Sequence, residues 1–309
     1  MSEWVTINEV GPRDGLQSLG KVLTVEQRLQ LIQGLVDCGI AAIESTSFVS
    51  AKAVPQMAGA TELYRQLPNV ANVRYAALVP NLRGYNDAVA AGARTVNVVL
   101  SVTDTMNLKN INMSLEQTAQ VCSDIMKQAK ADGVNGQAYL AVAFECPFEG
   151  AVSTDVVTEF AKQMYSAGAQ KIIIADTIGA ANPARVITLL TQIAKVLPLS
   201  QVACHFHDTR GMALANVYAA LQCGVREFDT AIGGMGGCPF SPGASGNMAT
   251  EDAVLMLEQM GYKTGISLHE LTAVIGTVEG LVERKLGGHS YNWLKRQYLQ
   301  NNEQGAHCG

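Results

Sequence analysis

Two histidines separated by a single residue, in His205-Phe206-His207-Asp208, are the first feature of the chain with chemical content. In an extended segment, side chains at i and i+2 point to the same side, so both imidazoles project together. Imidazole is the commonest metal ligand, and such a pair suits a divalent ion; histidines satisfied by backbone contacts are the competing reading. A second feature is Gly11-Pro12-Arg13-Asp14-Gly15. Asp14 offers a hard oxygen ligand and Arg13 a fixed cation for a developing oxyanion, although an Arg–Asp step between glycines also makes a simple salt-bridged turn. Asp14 with His205 and His207 leaves coordination positions open, which suits Mg²⁺ or Mn²⁺ holding a chelating oxygen substrate.

The run from Gly233 to Asn247 places six glycines in fifteen residues around one thiol, Cys238. It is long for a βα connection and reads as a mobile lid. A Gly-rich phosphate-binding loop with an incidental cysteine is the alternative. Asn247 caps the helix whose first turn holds Thr250, Glu251 and Asp252, or gives a carbonyl oxygen to a metal, or does both. Glu44 in Ile43-Glu44-Ser45 and Asp176 in Ala175-Asp176-Thr177 are acids on apolar strands. Burial there is costly without a partner, so they are either structural ion pairs or members of a site. Phosphate-binding motifs of the Walker type, GxGxxG and a GxSxG elbow are absent.

These residues need a scaffold that brings them together. Eight short apolar or β-branched runs are strand candidates: Val5–Val10, Ala41–Thr46, Arg74–Val79, Thr95–Leu100, Gln137–Phe144, Lys171–Ala175, Val202–Phe206 and Glu227–Ile232. Each is followed by a helix-length segment, the pattern of repeated βα units. Gly39, Gly92, Gly168 and Gly224 fall where a helix stops and the next strand begins. Thr24 and Ser114 each precede a Gln by three residues, a capping box, and Pro183 and Pro55 stand at helix starts. An open doubly wound sheet is possible, but the reactive residues sit at the C-terminal ends of several strands, which favours a closed (βα)8 TIM barrel. The barrel is expected over about 5–262, with one or two C-terminal helices over about 267–299 and a flexible tail at 301–309, all in one catalytic domain.

The chain has 309 residues, 48% hydrophobic and 16% charged, enough for one large core. A formal charge of −5 gives no basic field, so nucleic acid is not expected as a partner. No membrane span or leader peptide is expected. Seven cysteines without CxxC spacing argue against a disulfide framework or a structural zinc site and point to a reducing, cytoplasmic setting.

Together the motifs resemble the hydroxymethylglutaryl-CoA lyase family. The resemblance rests on Val10–Gln17, Thr46–Ser50, Lys109–Asn112, Cys146–Gly150, Asp176–Gly179, His205–Thr209 and Gly236–Pro239, in the family's order from residue 5 to about 285. It implies that Asp14, His205, His207 and Asn247 bind Mg²⁺ or Mn²⁺, and that Arg13 stabilises a thioester enolate. It further implies that Cys238 is an acid–base thiol, with Glu44 and Asp176 supporting the site and proton transfer. The reaction implied is cleavage of 3-hydroxy-3-methylglutaryl-CoA to acetyl-CoA and acetoacetate, in leucine or ketone-body metabolism, by a homo-oligomer (dimer or tetramer). Departures from the family pattern fall at Arg210, Glu145, Val102-Thr103-Asp104 and Ser18-Leu19-Gly20. They leave citramalyl-CoA or a longer branched 3-hydroxyglutaryl-CoA open as substrates. A Claisen-condensing synthase of the isopropylmalate type is the further alternative; the short C-terminal region and the Gly-Gly-Cys-Pro loop favour lysis.

Overall fold

A computed structural model describes residues 3–237 and 246–306, with side chains as far as Tyr298. Eight strands form the sheet: β1 (Thr6–Glu9), β2 (Ala42–Ser47), β3 (Arg74–Leu78), β4 (Thr95–Ser101), β5 (Asn135–Ala141), β6 (Lys171–Asp176), β7 (Val202–Phe206) and β8 (Glu227–Thr230). Every neighbouring pair is parallel, and β1 pairs with both β2 and β8, so the sheet closes into a barrel in chain order. The open-sheet alternative is thereby excluded. Most strands are buried on both faces, as parallel strands between a packed lumen and a helical coat must be.

The coat comprises α1 (Val25–Asp37), α2 (Ala60–Arg65), α3 (Leu82–Ala90), α4 (Asp104–Ile111), α5 (Leu115–Ala131), α6 (Thr154–Ala167), α7 (Pro183–Ile193), α8 (Ala213–Cys223) and α9 (Thr250–Gln259). Two further helices, α10 (Leu268–Val282) and α11 (Tyr291–Ala306), follow the barrel. Both capping boxes form: Thr24 accepts from the Gln27 N–H and Ser114 from the Gln117 N–H, each reciprocated by the Gln side chain. Pro183 opens α7 as expected. No helix among the described residues is long and apolar enough to cross a membrane.

The other strand ends agree with expectation to within two residues, and three differences go further. β5 ends at Ala141, not Phe144, because Val142 adopts φ 53° and turns the chain into a short antiparallel hairpin, Glu145–Cys146 with Gly150–Ala151. A β-branched residue there is sterically unfavourable and needs surrounding structure to hold it. Its N–H donates to Thr177 Oγ1 on the next connection. Pro55 opens a single turn, Pro55–Met57, and α2 begins separately after Gly59. Finally, α11 runs on to Ala306, into the stretch expected as a tail, since no proline interrupts it.

The floor of the barrel is closed by charge. Glu227, Arg74 and Lys171 stand at the first residues of β8, β3 and β6. The Glu227 carboxylate pairs with Arg74, and with Lys171 at 2.8 Å. It is 9% exposed, and the two cations hold its pKa down against the upward push of burial.

Thr24 satisfies one orphan N–H of α1 and orients Gln27 to satisfy another. Thr24→Ala is expected to lower the free energy of unfolding by roughly 1 kcal/mol. Urea denaturation checks this, and an unchanged midpoint would show that the box contributes nothing here.

Candidate active site

β1 ends at a single wide turn, Gly11–Gly15, in which the N–H groups of Arg13, Asp14 and Gly15 all point at the Val10 carbonyl. Pro12, which has no N–H to give, fits near the start of that turn. The turn aims Arg13 across the mouth of the barrel. Its Nε donates to Glu44 Oε2 on β2 at 2.5 Å and its Nη1 to Asp14 Oδ1 at 2.6 Å. The other Glu44 oxygen accepts from Asn97 Nδ2 on β4 at 2.7 Å. Glu44 is therefore an ion-pair partner that fixes Arg13, with both oxygens engaged. Burial opposes charge on the guanidinium, and the two carboxylates overcome this and hold it protonated.

Asp14, His205 and His207 each offer one ligand atom, all within 4.8 Å of one another. The sequence had placed the two histidines on one side of a strand, and the rings lie with centroids 5.0 Å apart. Burial alone would raise the Asp14 pKa, but the charges of Arg13, His205 and His207 and the Asn247 amide hold it well below the usual carboxylate range.

The two imidazoles differ in what stands behind them. His205 Nδ1 lies 3.1 Å from Asp229 Oδ2 on β8, which leaves Nε2 for a ligand. Burial depresses its pKa, but Asp229 and then Asp14 outweigh that and raise it. No acid among the described residues hydrogen-bonds His207 in this way; burial and the neighbouring His205 push it down to about 3 against the pull of Asp14.

Asn247 does not cap α9, whose cap position is Ala249. Its Nδ2 instead donates to Asp14 Oδ2 at 2.8 Å and to the Met235 carbonyl at 3.2 Å. Asn247 Oδ1 and His207 Nδ1 are buried without a hydrogen-bond partner among the described residues. Two orphaned acceptors beside a carboxylate and a second imidazole fit a hard divalent cation, since buried polar atoms otherwise find partners. Gly236 makes room for this arrangement: at φ 132° a Cβ would come 2.7 Å from Asn247 Nδ2.

Asp176, at the end of β6, accepts from the Ala180 N–H at 2.7 Å and the Ala181 N–H at 3.0 Å. Burial raises its pKa to about 6 against the pull of those N–H groups. It thus ties down the β6 connection at the mouth. Cys238 lies outside the described residues.

Sequence reasoning missed the hub behind His205. Asp229 accepts from Asn8 Nδ2 at 2.8 Å and from Tyr139 OH at 2.7 Å, besides facing His205. The Tyr139 ring packs edge-on against His205, at 6.2 Å between centroids. The available signal was Glu227-Phe228-Asp229, two acids alternating on a strand that the apolar flanks mark as buried.

Fold and mouth together define a class: a (βα)8 barrel with a hard-cation site and a buried guanidinium at the C-terminal rim, where such barrels carry their chemistry. The HMGL-like family profile matches residues 4–278, and the chain belongs to that family. It is 43% identical over 270 residues, 87% of this chain and 90% of the relative, to hydroxymethylglutaryl-CoA lyase of Pseudomonas mevalonii. The structure of hydroxymethylglutaryl-CoA lyase from Pseudomonas aeruginosa superposes with a TM-score of 0.93 at 33% identity, covering 96% of this chain and 99% of that one. An HMG-CoA lyase from Acinetobacter baumannii, in complex with coenzyme A and 3-methylmalate, gives 0.89 at 37% identity, covering 94% of each chain.

Asp229 orients His205 and keeps its Nε2 basic. Asp229→Asn is expected to weaken Mn²⁺ binding by about 10–100-fold, as loss of a carboxylate behind a ligating histidine does. Titration calorimetry checks it; an unchanged affinity would mean that packing alone orients the ring.

Proposed function

We propose that this protein is a carbon–carbon lyase that cleaves 3-hydroxy-3-methylglutaryl-CoA to acetyl-CoA and acetoacetate. The observation that carries the proposal is the fixed Arg13 guanidinium beside the convergent Asp14, His205 and His207 set. Kinship with lyases of that name over most of the chain agrees with it.

Asp14, His205, His207 and Asn247 would hold Mg²⁺ or Mn²⁺. When bound, such an ion is a Lewis acid that lowers the pKa of a coordinated hydroxyl. Retro-Claisen cleavage removes the hydroxyl proton, breaks the bond to the α-carbon of the thioester and leaves an enolate that must gain a proton. Arg13 is the group for the negative charge that develops on the thioester oxygen. Held by Glu44 and Asp14, it meets that charge without reorganising, which is what makes such groups effective. Its charge is most useful late, once the enolate has formed, so it acts on turnover more than on binding. Cys238 is the thiol assigned to the enolate's proton, and a positive field that favours its thiolate would make it reactive. Glu44 positions Arg13, and Asp176 holds the β6 connection while its near-neutral pKa suits proton exchange.

Purified protein with Mg²⁺ or Mn²⁺ is expected to release acetoacetate from 3-hydroxy-3-methylglutaryl-CoA faster than it cleaves citramalyl-CoA or a longer branched analogue. Chelation should abolish the reaction and either ion restore it; full activity after exhaustive metal removal would sink the metal reading. Arg13→Gln should lower kcat about 10²–10³-fold with a smaller change in KM, since one preorganised oxyanion partner is typically worth that much. Steady-state kinetics separate the two constants, and a raised KM with normal kcat would make Arg13 a binding residue.

A further inference from the structure

Glu145 and Arg210, two positions at which the chain departs from the family it resembles, are brought together by the fold. Arg210 Nη2 donates to Glu145 Oε1 at 3.2 Å, while Glu145 Oε2 lies 3.9 Å from Arg185 Nη1. Glu145 follows β5 and Arg210 follows β7, the two strands that flank β6. The pair therefore spans the rim above the end of β6, where Asp176 sits, and Arg210 is three residues past His207.

The three charges are unequally committed. Arg185 also donates to the Phe144 carbonyl and stacks over the Phe144 ring at 6.0 Å, so it is fixed with or without Glu145. Glu145 is the one carboxylate within ion-pair distance of Arg210 among the described residues, and the Arg210 side chain is 52% exposed. A guanidinium has five N–H donors in a planar fork, so most of Arg210's remain for a second acceptor. Glu145 is thus shared between two cations, and exposed pairs of this kind are weak enough to exchange.

We propose that Arg210 is a specificity-determining residue that receives the free carboxylate of the acyl group, taking it in exchange for, or beside, Glu145. This rests on the acyl-CoA reading above. A substrate of the 3-hydroxyglutaryl class has a thioester at one end and a carboxylate at the other. Arg13 already carries two carboxylates and is assigned above to the thioester end, so the carboxylate end needs a cation of its own. The planar fork of Arg210 matches that group, and Glu145 keeps the fork at the rim while the site is free.

The test compares 3-hydroxyglutaryl-CoA with 3-hydroxybutyryl-CoA, which differ by a carboxylate in place of a hydrogen, in direct binding assays with Mn²⁺ present. The native chain is expected to prefer the glutaryl ester. Arg210→Gln should cut that preference about tenfold or more, the range of a lost charge-assisted hydrogen bond, and leave the butyryl ester within about twofold. Arg210→Lys should keep part of the preference, and Glu145→Gln should keep or raise it. An intact preference in Arg210→Gln would overturn the proposal, and so would equal weakening of both esters, which marks a structural role. If the native chain bound neither ester, the acyl-CoA reading itself would fall.

Discussion

One carboxylate organises the mouth of this barrel. Asp14 accepts a guanidinium N–H from Arg13 on one oxygen and an amide N–H from Asn247 on the other. A guanidinium 6% exposed cannot stand alone, because an unpaired buried charge costs far more than the fold can spare. Glu44 completes the neutralisation and is itself held by Asn97. The chain of contacts thus links the turn after β1, strands β2 and β4, and the segment before α9. Loss of either Arg13 or Glu44 leaves a buried charge without its partner, so the network is rigid in the way that preorganised electrostatics require.

The same mouth treats two adjacent imidazoles differently. Asp229 stands behind His205 and raises its pKa, while His207 has a neighbour of like kind and is pushed down to about 3. Two protonated rings at this separation would repel. The asymmetry leaves His207 with a free lone pair throughout the physiological range, and confines any proton on the pair to the ring with an acid to share it. Asp229 in turn is anchored by Asn8 and Tyr139, from β1 and β5. The ring orientation is therefore a property of the closed barrel, not of strand β7 alone.

How much of this was legible depends on the range of the interaction. The pairing of His205 with His207 follows from strand periodicity, and the barrel from eight βα repeats, because both are local patterns repeated along the chain. The capping boxes at Thr24 and Ser114 were equally local. Glu44 could be recognised as an acid that needed a partner, but its partner is 31 residues away on the far side of α1, and the sequence does not say which cation reaches it. The role of Asn247 was open for the same reason: its amide points to a residue 233 positions earlier instead of to the helix beside it. Asp229 was hidden in plain alternation, and Val142 gave no sign of its positive φ, since a β-branched residue is expected to continue a strand.

The ion triad of Arg74, Lys171 and Glu227 joins strands that are not neighbours and plugs the lower end of the lumen. Three separate strands are in consequence cross-braced at that end by one shared carboxylate. Strands β3, β6 and β8 therefore cannot splay at that end without parting a buried carboxylate from its cations, so the far end of the barrel holds the strand spacing on which the geometry of the mouth depends.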